Sequence, residues 1–297
     1  MAGPKRRAFR SRLIFRAVTL ISVVGQSLPL PIGRAAGRAL GTVAWHVARR
    51  ERKKALANIA IAFPDWPPER RRSTIRSMFR HLGMSLFEIG WLPNLAMNHL
   101  AKTTSVEGLD RVVEQIAAGR SVVIFTAHCG NWEWLGYTAG LHAPVTAIQR
   151  ERSEEGMDDF LRGLRARAGI RTIDRGSAGA ARELIQGLRK PGILAFLIDQ
   201  NIRAENTKVP FFGRPALTPI GPAKLAIRGG ALVGCAFIER GADGLHYVRF
   251  HELLETSRDD DPVELTARMT AAIEDQIRRV PEQWVWMHDR WRERGEG

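Results

Sequence analysis

The sequence predicts an α/β fold with a mixed, mostly parallel central sheet flanked by helices and preceded by an N-terminal helical arm. Three observations predict it. Short apolar, β-branched runs alternate with stretches of helical periodicity, the pattern of a layered α/β domain. Several runs are apolar without interruption, as in strands covered on both faces of a sheet. Basic residues are concentrated in the first 60 positions, which sets that segment apart.

Length and composition fit one large globular domain behind the arm. The chain has 297 residues, 44% of them hydrophobic, which is enough for a sizeable core. Cys129 and Cys235 lie far apart and form no CxxC pair, so neither a disulfide framework nor a structural zinc site is expected. We therefore predict a protein of a reducing compartment, with residues 1–60 as the arm and residues 61–297 as a single α/β domain.

The arm carries almost all of the net charge. It holds thirteen Lys or Arg residues and one acid, Glu51, in a chain whose formal charge is +14. Residues 17 to 33 are uncharged, but Pro29 and Pro31 shorten their helical part, so a full membrane span is marginal. Basic residues on both sides favour a retained helix lying in an anionic leaflet over a removable signal peptide.

Two other interpretations of the arm compete with membrane binding. One is a solvated basic helix that covers the core. The other is nucleic-acid binding, which is disfavoured because no aromatic residues interleave with the basic ones for base stacking. Anionic membrane lipid is therefore the expected partner of the arm, and no nucleic acid is expected.

The elements of the larger domain follow in order along the chain. Apolar runs predict strands at 121–127, 145–149, 192–198 and 231–238. The run at 245–252 alternates apolar and polar residues, which predicts an edge or antiparallel strand. Helical periodicity predicts helices at 110–119, 158–169 and 178–190. Strands separated by helices of this length indicate a parallel sheet.

The stretch TAHCGNWEWLG, residues 126 to 136, overlaps the end of the first of these strands. His128 lies at the carboxyl end of the strand, where α/β sheets bind ligands. Its imidazole accepts a proton near neutral pH, and Glu133 is a candidate carboxylate to fix its tautomer. Gly130 permits close backbone approach by a ligand. Asn131 is a favoured N-cap, and the helix start behind it offers amides to an oxyanion or phosphate.

A structural histidine and a metal ligand are the competing interpretations of His128. A lone histidine after a strand is often only hydrogen-bonded structure, and an acid five positions later occurs by chance. A metal site needs two or three further ligands, and the sequence has no HExxH or clustered His-carboxylate motif, so no metal is expected. The composite of strand, His, Gly-Asn and an aromatic-acid-aromatic helix start favours acid–base chemistry.

The same stretch resembles the HX4(D/E) block of the bacterial lipid A biosynthesis acyltransferases, within the wider glycerolipid acyltransferase superfamily. Cys129 stands where that family more often has Phe. Four further blocks resemble the family in the same order: NIAIAFPDWP at 58–67, QRER and LRARAGI at 149–152 and 164–170, the block from DQN to PIG at 199–221, and PEQWVWMHDRW at 281–291. Five blocks in order are far more specific than one.

The resemblance implies a glycerolipid acyltransferase-like fold and an enzyme of the cytoplasmic face of the bacterial inner membrane. Such enzymes need no metal or other cofactor and take an acyl chain from acyl carrier protein or coenzyme A. The acceptor is a hydroxyl of a lipid A precursor or related membrane glycolipid. His128 would remove the hydroxyl proton, and Glu133 would orient the imidazole. Because the hydroxyl is itself the nucleophile, Cys129 is not expected to form an acyl-enzyme.

Further residues are candidates for substrate binding, each with a structural alternative. Arg150 and Arg165 carry guanidinium groups that match phosphate geometry, or they form a solvated helix face. Asp199 follows the strand at 192–198 and is a second acid for the imidazole, or a turn residue. The segment VPFFG, with Phe211, Phe212 and Gly213, either lines the acyl-chain channel or belongs to the core.

Two alternative functions remain open from the sequence. One is acyl transfer to another lipid acceptor, such as a phospholipid, a phosphatidylinositol mannoside or an ornithine lipid. The other is a catalytically inactive membrane-bound accessory protein, against which the intact His128 and Glu133 argue.

Overall fold

A seven-stranded sheet forms the centre of the computed structural model, which describes residue 19, residues 25 to 150 and residues 156 to 291. The strand order is β1-β9-β8-β2-β5-β3-β4, with β9 antiparallel to β8 and the other pairs parallel. A separate antiparallel hairpin is formed by β6 and β7. The strands are β1 Thr104–Glu107, β2 Ser121–Thr126, β3 Val145–Arg150, β4 Ile170–Arg175, β5 Gly192–Leu197, β6 Asn206–Phe211, β7 Arg214–Pro219, β8 Leu232–Arg240 and β9 His246–Phe250.

Helices cover both faces of the sheet, so the central strands are buried on both sides. All six residues of β2 are buried. Val123 and Phe125 belong to one core, and Val122 and Ile124 belong to the other. The helices are α1 Leu30–Val47, α2 Arg49–Ala62, α3 Pro68–Trp91, α4 Met97–Thr103, α5 Leu109–Ala117, α6 Trp132–Gly140, α7 Met157–Ala166, α8 Ala180–Leu188, α9 Gly221–Gly229 and α10 Pro262–Arg279. The predicted mixed, mostly parallel sheet flanked by helices is confirmed.

Helices α1 and α3 lie in close contact because glycines meet where they cross. A Cβ atom built on Gly37 or Gly41 of α1 would overlap backbone atoms of α3, and one built on Gly83 of α3 would overlap the Gly37 carbonyl. Without side chains, the two backbones approach more closely than ordinary helix packing allows. Helix α1 is thus joined to the rest of the protein by helix packing, and the predicted boundary at residue 60 falls inside α2.

Several elements differ from the sequence prediction. The strand at 245–252 is antiparallel to β8, as predicted, but it is internal because β1 pairs with its other side. The strands β1 and β4 and the β6–β7 hairpin were not predicted from the sequence. Residues 17, 18 and 20 to 24 of the uncharged segment 17–33 lie outside the described residues. Among the residues that the structure describes, no helix combines the length and apolarity needed to cross a membrane.

Candidate active site

His128 and Asp199 meet because β2 and β5 are neighbouring parallel strands. In the register of the two strands, Thr126 lies opposite Leu197. His128 comes two residues after Thr126, and Asp199 comes two residues after Leu197. The carboxyl ends of both strands therefore deliver a histidine and an aspartate to one edge of the sheet. The sequence analysis predicted this edge for both residues.

Asp199 binds the imidazole of His128 directly. Its Oδ1 lies 2.8 Å from Nδ1 of His128, and its Oδ2 accepts the backbone N–H of His128 at 2.9 Å. The indole N–H of Trp284 also donates to Oδ2, at 2.8 Å. The side chain of Asp199 is fully buried, whereas that of His128 is 22% exposed. The carboxylate is thus fixed in the interior while one side of the imidazole faces outward.

The protonation states follow from these contacts. Burial alone would raise the pKa of Asp199, but the attraction of His128 and the hydrogen bonds from His128 and Trp284 hold that pKa well below its ordinary value. The carboxylate is ionised and can only accept, so its contact assigns the proton to Nδ1 of His128. The amide nitrogen of Gln200, 2.9 Å from the same Nδ1, then makes no hydrogen bond to that atom. The lone pair then lies on Nε2, the atom that can accept a proton from a substrate.

A second histidine lies beside the first. The ring centroids of His128 and His288 are 5.7 Å apart, and the side-chain amide of Gln200 contacts both rings. Burial, followed by the repulsion that two protonated rings would exert on each other, lowers the pKa of His288 to about 4, so this ring is neutral at neutral pH. The site therefore holds one imidazole paired with a carboxylate and one without charge.

Glu133 is bound by Arg165. The guanidinium of Arg165 donates Nε–H to Oε2 of Glu133 at 2.9 Å and a terminal N–H to Oε1 at 2.6 Å, and it also donates to Gln149 at 2.6 Å. The prediction that Glu133 orients His128 through Nδ1 needs correction, because Asp199 occupies that position. The predicted phosphate contact of Arg165 would have to compete with this bidentate ion pair.

Gly130 and Asn131 have structural contacts where ligand contacts were predicted. Gly130 has a φ of +64°, and a Cβ atom there would overlap the carbonyl oxygen of Ile238, so the close backbone approach is to β8. Asn131 is 1% exposed. Its Oδ1 accepts the N–H of Trp134 at 3.2 Å, which makes it the predicted N-cap of α6. The predicted contact of the backbone amides of this loop with an oxyanion or phosphate stays a prediction.

An apolar cavity lies between α6 and the sheet, beside His128. The ring of Trp132 lines the cavity and packs edge-on against His128, with centroids 4.9 Å apart. Three polar residues line the cavity: Thr126, Glu133 and Arg165. The rest of the lining is apolar, and many of its side chains are small: Ile124, Leu135, Gly136, Ala139, Val145, Ala147, Ile170, Ile193, Ala195, Leu197, Ala236 and Phe250.

Comparison with known proteins identifies the family. The sequence model of the bacterial lipid A biosynthesis acyltransferases matches residues 3 to 293. The chain belongs to this family. A lipid A biosynthesis palmitoleoyltransferase of Escherichia coli (strain K12) is 29% identical over 272 residues, which is 91% of this chain and 88% of that protein. A lipid A biosynthesis lauroyltransferase of the same organism is 26% identical over 273 residues, again 91% and 88% of the two chains.

More distant acyltransferases also match this family member. A phosphatidylinositol mannoside acyltransferase of Mycobacterium tuberculosis (strain ATCC 25618 / H37Rv) is 27% identical over 162 residues, 52% of this chain and 51% of that protein. Among solved structures, the 1-acyl-sn-glycerophosphate acyltransferase PlsC of Thermotoga maritima aligns with a TM-score of 0.41 and 16% identity, covering 88% of this chain and 100% of its own.

Two other predicted parts of the site are the segment 211–213 and Arg150, and neither is placed beside His128 by the described atoms. Phe211 and Phe212 belong to an aromatic cluster in the core on the opposite side of the sheet from the cavity, so they do not line this cavity, and their contact with an acyl chain stays a prediction. Phe212 and Gly213 form the two-residue turn of the β6–β7 hairpin, both with positive φ, which explains the glycine. Arg150 is the last residue of β3, and its side chain lies outside the described atoms, so its phosphate contact stays a prediction.

The sequence analysis did not predict the residues that hold the active-site loop, defined as residues 128 to 131. The backbone N–H of Gly130 donates to the carbonyl of Gln283 at 2.9 Å, and that of Val285 donates to the carbonyl of His128 at 3.1 Å. Trp284 lies between them and binds Asp199. The only sequence signal was that these residues belong to the C-terminal block PEQWVWMHDRW.

Proposed function

We propose that this protein moves a fatty acyl chain from an acyl thioester to a hydroxyl of a lipid A precursor or a related membrane glycolipid, with His128 as the general base. The observation that carries the proposal is the bond between Asp199 and Nδ1 of His128 beside an apolar cavity. Membership of the acyltransferase family supports the reaction type. The dyad supports the mechanism, because an imidazole held by a buried carboxylate suits proton transfer.

The reaction runs in two proton transfers through one imidazole. Nε2 of His128 takes the proton of the acceptor hydroxyl as its oxygen attacks the thioester carbonyl, and the negative Asp199 stabilises the imidazolium that forms. The tetrahedral intermediate then breaks its C–S bond. The departing sulfur takes the proton back from His128, which leaves an ester, a free thiol and a neutral imidazole. Every step uses side chains of the protein itself.

A covalent acyl-enzyme on Cys129 is not part of the proposal. Cys129 is 2% exposed. Burial, followed by the negative charge of Asp199, raises the pKa of its thiol far above the ordinary value. A buried, protonated thiol is a poor nucleophile, so the acceptor hydroxyl attacks the donor directly.

The apolar cavity, with a volume of about 60 Å³, is the proposed site of part of the acyl chain. Its lining is mostly aliphatic, and it lies one side chain, Trp132, away from His128. A fatty acyl chain in such a cavity gains burial free energy with each methylene, about 0.8 kcal/mol. The thioester carbonyl would then lie at the cavity end near His128. This supports acyl transfer over a function as an inactive accessory protein.

Filling the cavity should change which acyl chain is used. Gly136 lines the cavity, and a Cβ atom there meets nothing closer than Ile170 Cδ1 at 3.9 Å. In Gly136→Leu the new side chain takes the space of several methylenes. We expect the ratio of kcat/KM for long against short acyl donors to fall by about 10-fold or more. Competition assays with mixed acyl thioesters measure that ratio.

Gly163 offers the matched control for the cavity. It lies in α7, and a Cβ atom there has nothing within 4 Å, so Gly163→Leu makes the same helical substitution in open space. The control should keep the parent preference among acyl chains. An unchanged preference in Gly136→Leu would show that the acyl chain binds elsewhere.

The donor and the acceptor are tested with the purified full-length protein. Rates with acyl carrier protein and coenzyme A thioesters are compared at several salt concentrations, and a lipid A precursor is compared with phosphatidylinositol mannoside and phospholipid acceptors. Acyl carrier protein is the favoured donor, because an acidic carrier is attracted to the basic N-terminal segment. Transfer to another acceptor alone would change the substrate, and no transfer to any acceptor would support the accessory function.

We propose that the protein binds the cytoplasmic face of the bacterial inner membrane through α1 as well as the segment before it. The buried face of α1 carries Gly33, Gly37, Gly41 and Trp45. Its outer face carries four large hydrophobic residues that are exposed by 39 to 71%: Ile32, Leu40, Val43 and Val47. Exposed basic residues stand beside this face or follow it: Arg38, Arg49, Arg50 and Lys53. An apolar stripe flanked by cations suits the interface of an anionic bilayer.

Charges placed on the stripe should weaken membrane binding. The double substitution Val43→Glu, Val47→Glu changes side chains that contact solvent, so the fold should be kept. We expect binding to vesicles of phosphatidylglycerol and phosphatidylethanolamine to fall by about 10-fold or more, since apolar contact is lost and acids face an anionic surface. Ile185→Glu in α8, at a residue 50% exposed, is the control and should bind as the parent does. Equal binding of all three proteins would contradict this role of α1.

A further inference from the structure

A buried carboxylate, Glu88 in α3, joins three parts of the molecule. Its side chain is 0% exposed. Arg34 of α1 donates Nε–H to its Oε1 at 2.6 Å, and Arg240 at the end of β8 donates to both of its oxygens. Asn131 in the active-site loop donates its side-chain amide to Oε2 at 3.0 Å. One carboxylate therefore contacts an N-terminal helix, the central sheet and the loop that carries His128.

The charges around Glu88 hold it in place. Burial alone would raise its pKa, but Arg240 and His246 keep the pKa of this carboxyl well below its ordinary value. Burial lowers the pKa of His246, and it lowers the pKa of His81, which contacts Arg240, to about 3. Both rings are therefore neutral at neutral pH. Glu88 is ionised between the guanidiniums of Arg34 and Arg240, and charge-assisted hydrogen bonds of this kind fix its position strongly.

Asn131 links the fixed carboxylate of Glu88 to the active-site loop. One end of its side chain caps α6 by accepting the N–H of Trp134, and the other end donates to Glu88. The C-terminal residues 283 to 285 hold the same loop by backbone hydrogen bonds at Gly130 and His128. The loop is thus fixed by backbone contacts from the C-terminal segment and by the side chain of Asn131 from α3.

We propose that Glu88 is a positioning residue for acyl transfer, acting through Asn131 on the loop that carries His128. The proposal rests on the proposed function of His128. A general base must lie within hydrogen-bond reach of the hydroxyl it deprotonates. A misplacement of about 1 Å by a distant substitution costs on the order of 10²-fold in rate. Arg34 ties the same carboxylate to α1, the helix with the exposed apolar stripe.

Asn131→Ser separates the two bonds of Asn131. Serine is as good an N-cap as asparagine, so α6 keeps its first turn, but serine has no amide to reach Glu88. We expect kcat to fall by about 10- to 100-fold. The KM values for donor and acceptor should stay within about twofold, because the substrate contacts are intact. If Asn131 acted only as the N-cap of α6, Asn131→Ser would keep the kcat and the KM values of the parent.

The matched control replaces another N-cap by serine. Asp261 caps α10 by accepting the N–H of Val263 at 2.7 Å, far along the chain from the loop. Asp261→Ser should keep the kcat of the parent. Hydrogen exchange of residues 126 to 134 adds a readout independent of activity, and it should be faster in Asn131→Ser but not in Asp261→Ser. Parent kcat and parent exchange in Asn131→Ser would overturn the proposal.

A double-mutant cycle tests whether Glu88 acts through Asn131. Glu88→Gln leaves two buried guanidiniums without their carboxylate, so its kcat is measured at a temperature where the variant is folded. The double variant of Glu88→Gln and Asn131→Ser should be no slower than Glu88→Gln alone, because the two residues act as a unit. Losses that multiply would overturn the proposal. An inactive parent protein would overturn the proposed function and this proposal with it, whereas an active parent with unaffected variants overturns this proposal alone.

Discussion

We expect His128→Ala to lower acyl-transfer turnover by about 10²- to 10⁴-fold, the usual contribution of a general base. The imidazole is 22% exposed, but alanine removes the partner of the buried Asp199, so folding of the variant has to be checked. Without Nε2, the acceptor hydroxyl keeps its proton and attacks the thioester slowly. The measurement is the rate of transfer of a labelled acyl chain to the acceptor lipid, with the melting temperature as the check on folding.

Cys129→Ser is the control at the neighbouring position. We expect Cys129→Ser to keep most of the activity, because the thiol is buried and protonated. Intact-protein mass after incubation with the acyl donor alone should show no added acyl group. A folded His128→Ala with parent turnover, or a trapped acyl-thioester that disappears in Cys129→Ser, would contradict direct attack by the acceptor hydroxyl.

We expect Asp199→Asn to lower turnover by about 10²- to 10⁴-fold as well, although it keeps the size of the side chain. A carboxylate can only accept a hydrogen bond from Nδ1, but an amide can also donate one, so the proton is no longer fixed on Nδ1. The substitution also removes the negative charge that stabilises the imidazolium. The measurement is kcat/KM as a function of pH. In the parent, Asp199 is ionised throughout the neutral and mildly acidic range, because its pKa is held well below the ordinary value. A fall of kcat/KM at acid pH in that range therefore reports the protonation of a group other than Asp199. The pH at which kcat/KM falls should be lower in Asp199→Asn than in the parent.

The sign of the stability effect follows from the same depressed pKa. Asp199 contributes stability above its unfolded pKa, near 3.9, and loses it only as the pH falls through the lower value of the folded state. Asp199 is thus not expected to take up a proton near pH 5. Glu133→Gln is the comparison, since its carboxylate is bound by Arg165. In Glu133→Gln, kcat/KM should fall at the same acid pH as in the parent. If that pH shifts in Glu133→Gln but not in Asp199→Asn, then Glu133 is the residue that orients the imidazole.

The sequence predicted the edge of the sheet that carries the site because that edge depends on local signals. Apolar runs marked the strands before His128 and Asp199, and side chains after parallel strands share one edge. It did not predict that β2 and β5 are neighbours, since strand order depends on the whole topology. Glu133 and Asp199 were both acids near the histidine, and only the direction of each side chain decides which one reaches Nδ1.

The missed elements have sequences that weaken the usual strand signals. The strand β4, IRTIDR, is an edge strand with charged residues, and the hairpin strands β6 and β7 contain proline. Glu88 carried a signal that was not used: it is an isolated acid within the apolar stretch SLFEIGW of a helix. An acid there has to be paired when buried. Its partners Arg34, Asn131 and Arg240 lie far from it in sequence, so spacing alone could not identify them.

The tautomer of His128 tests the central claim most directly. Nitrogen NMR of the full-length protein with labelled histidine distinguishes a protonated from an unprotonated ring nitrogen, and His128→Ala assigns the signal. The account predicts a proton on Nδ1 and a free Nε2 in the parent at neutral pH, a change of this signal in Asp199→Asn and none in Glu133→Gln. A proton on Nε2 in the parent would contradict the account, because that nitrogen could not then take the proton of the acceptor hydroxyl.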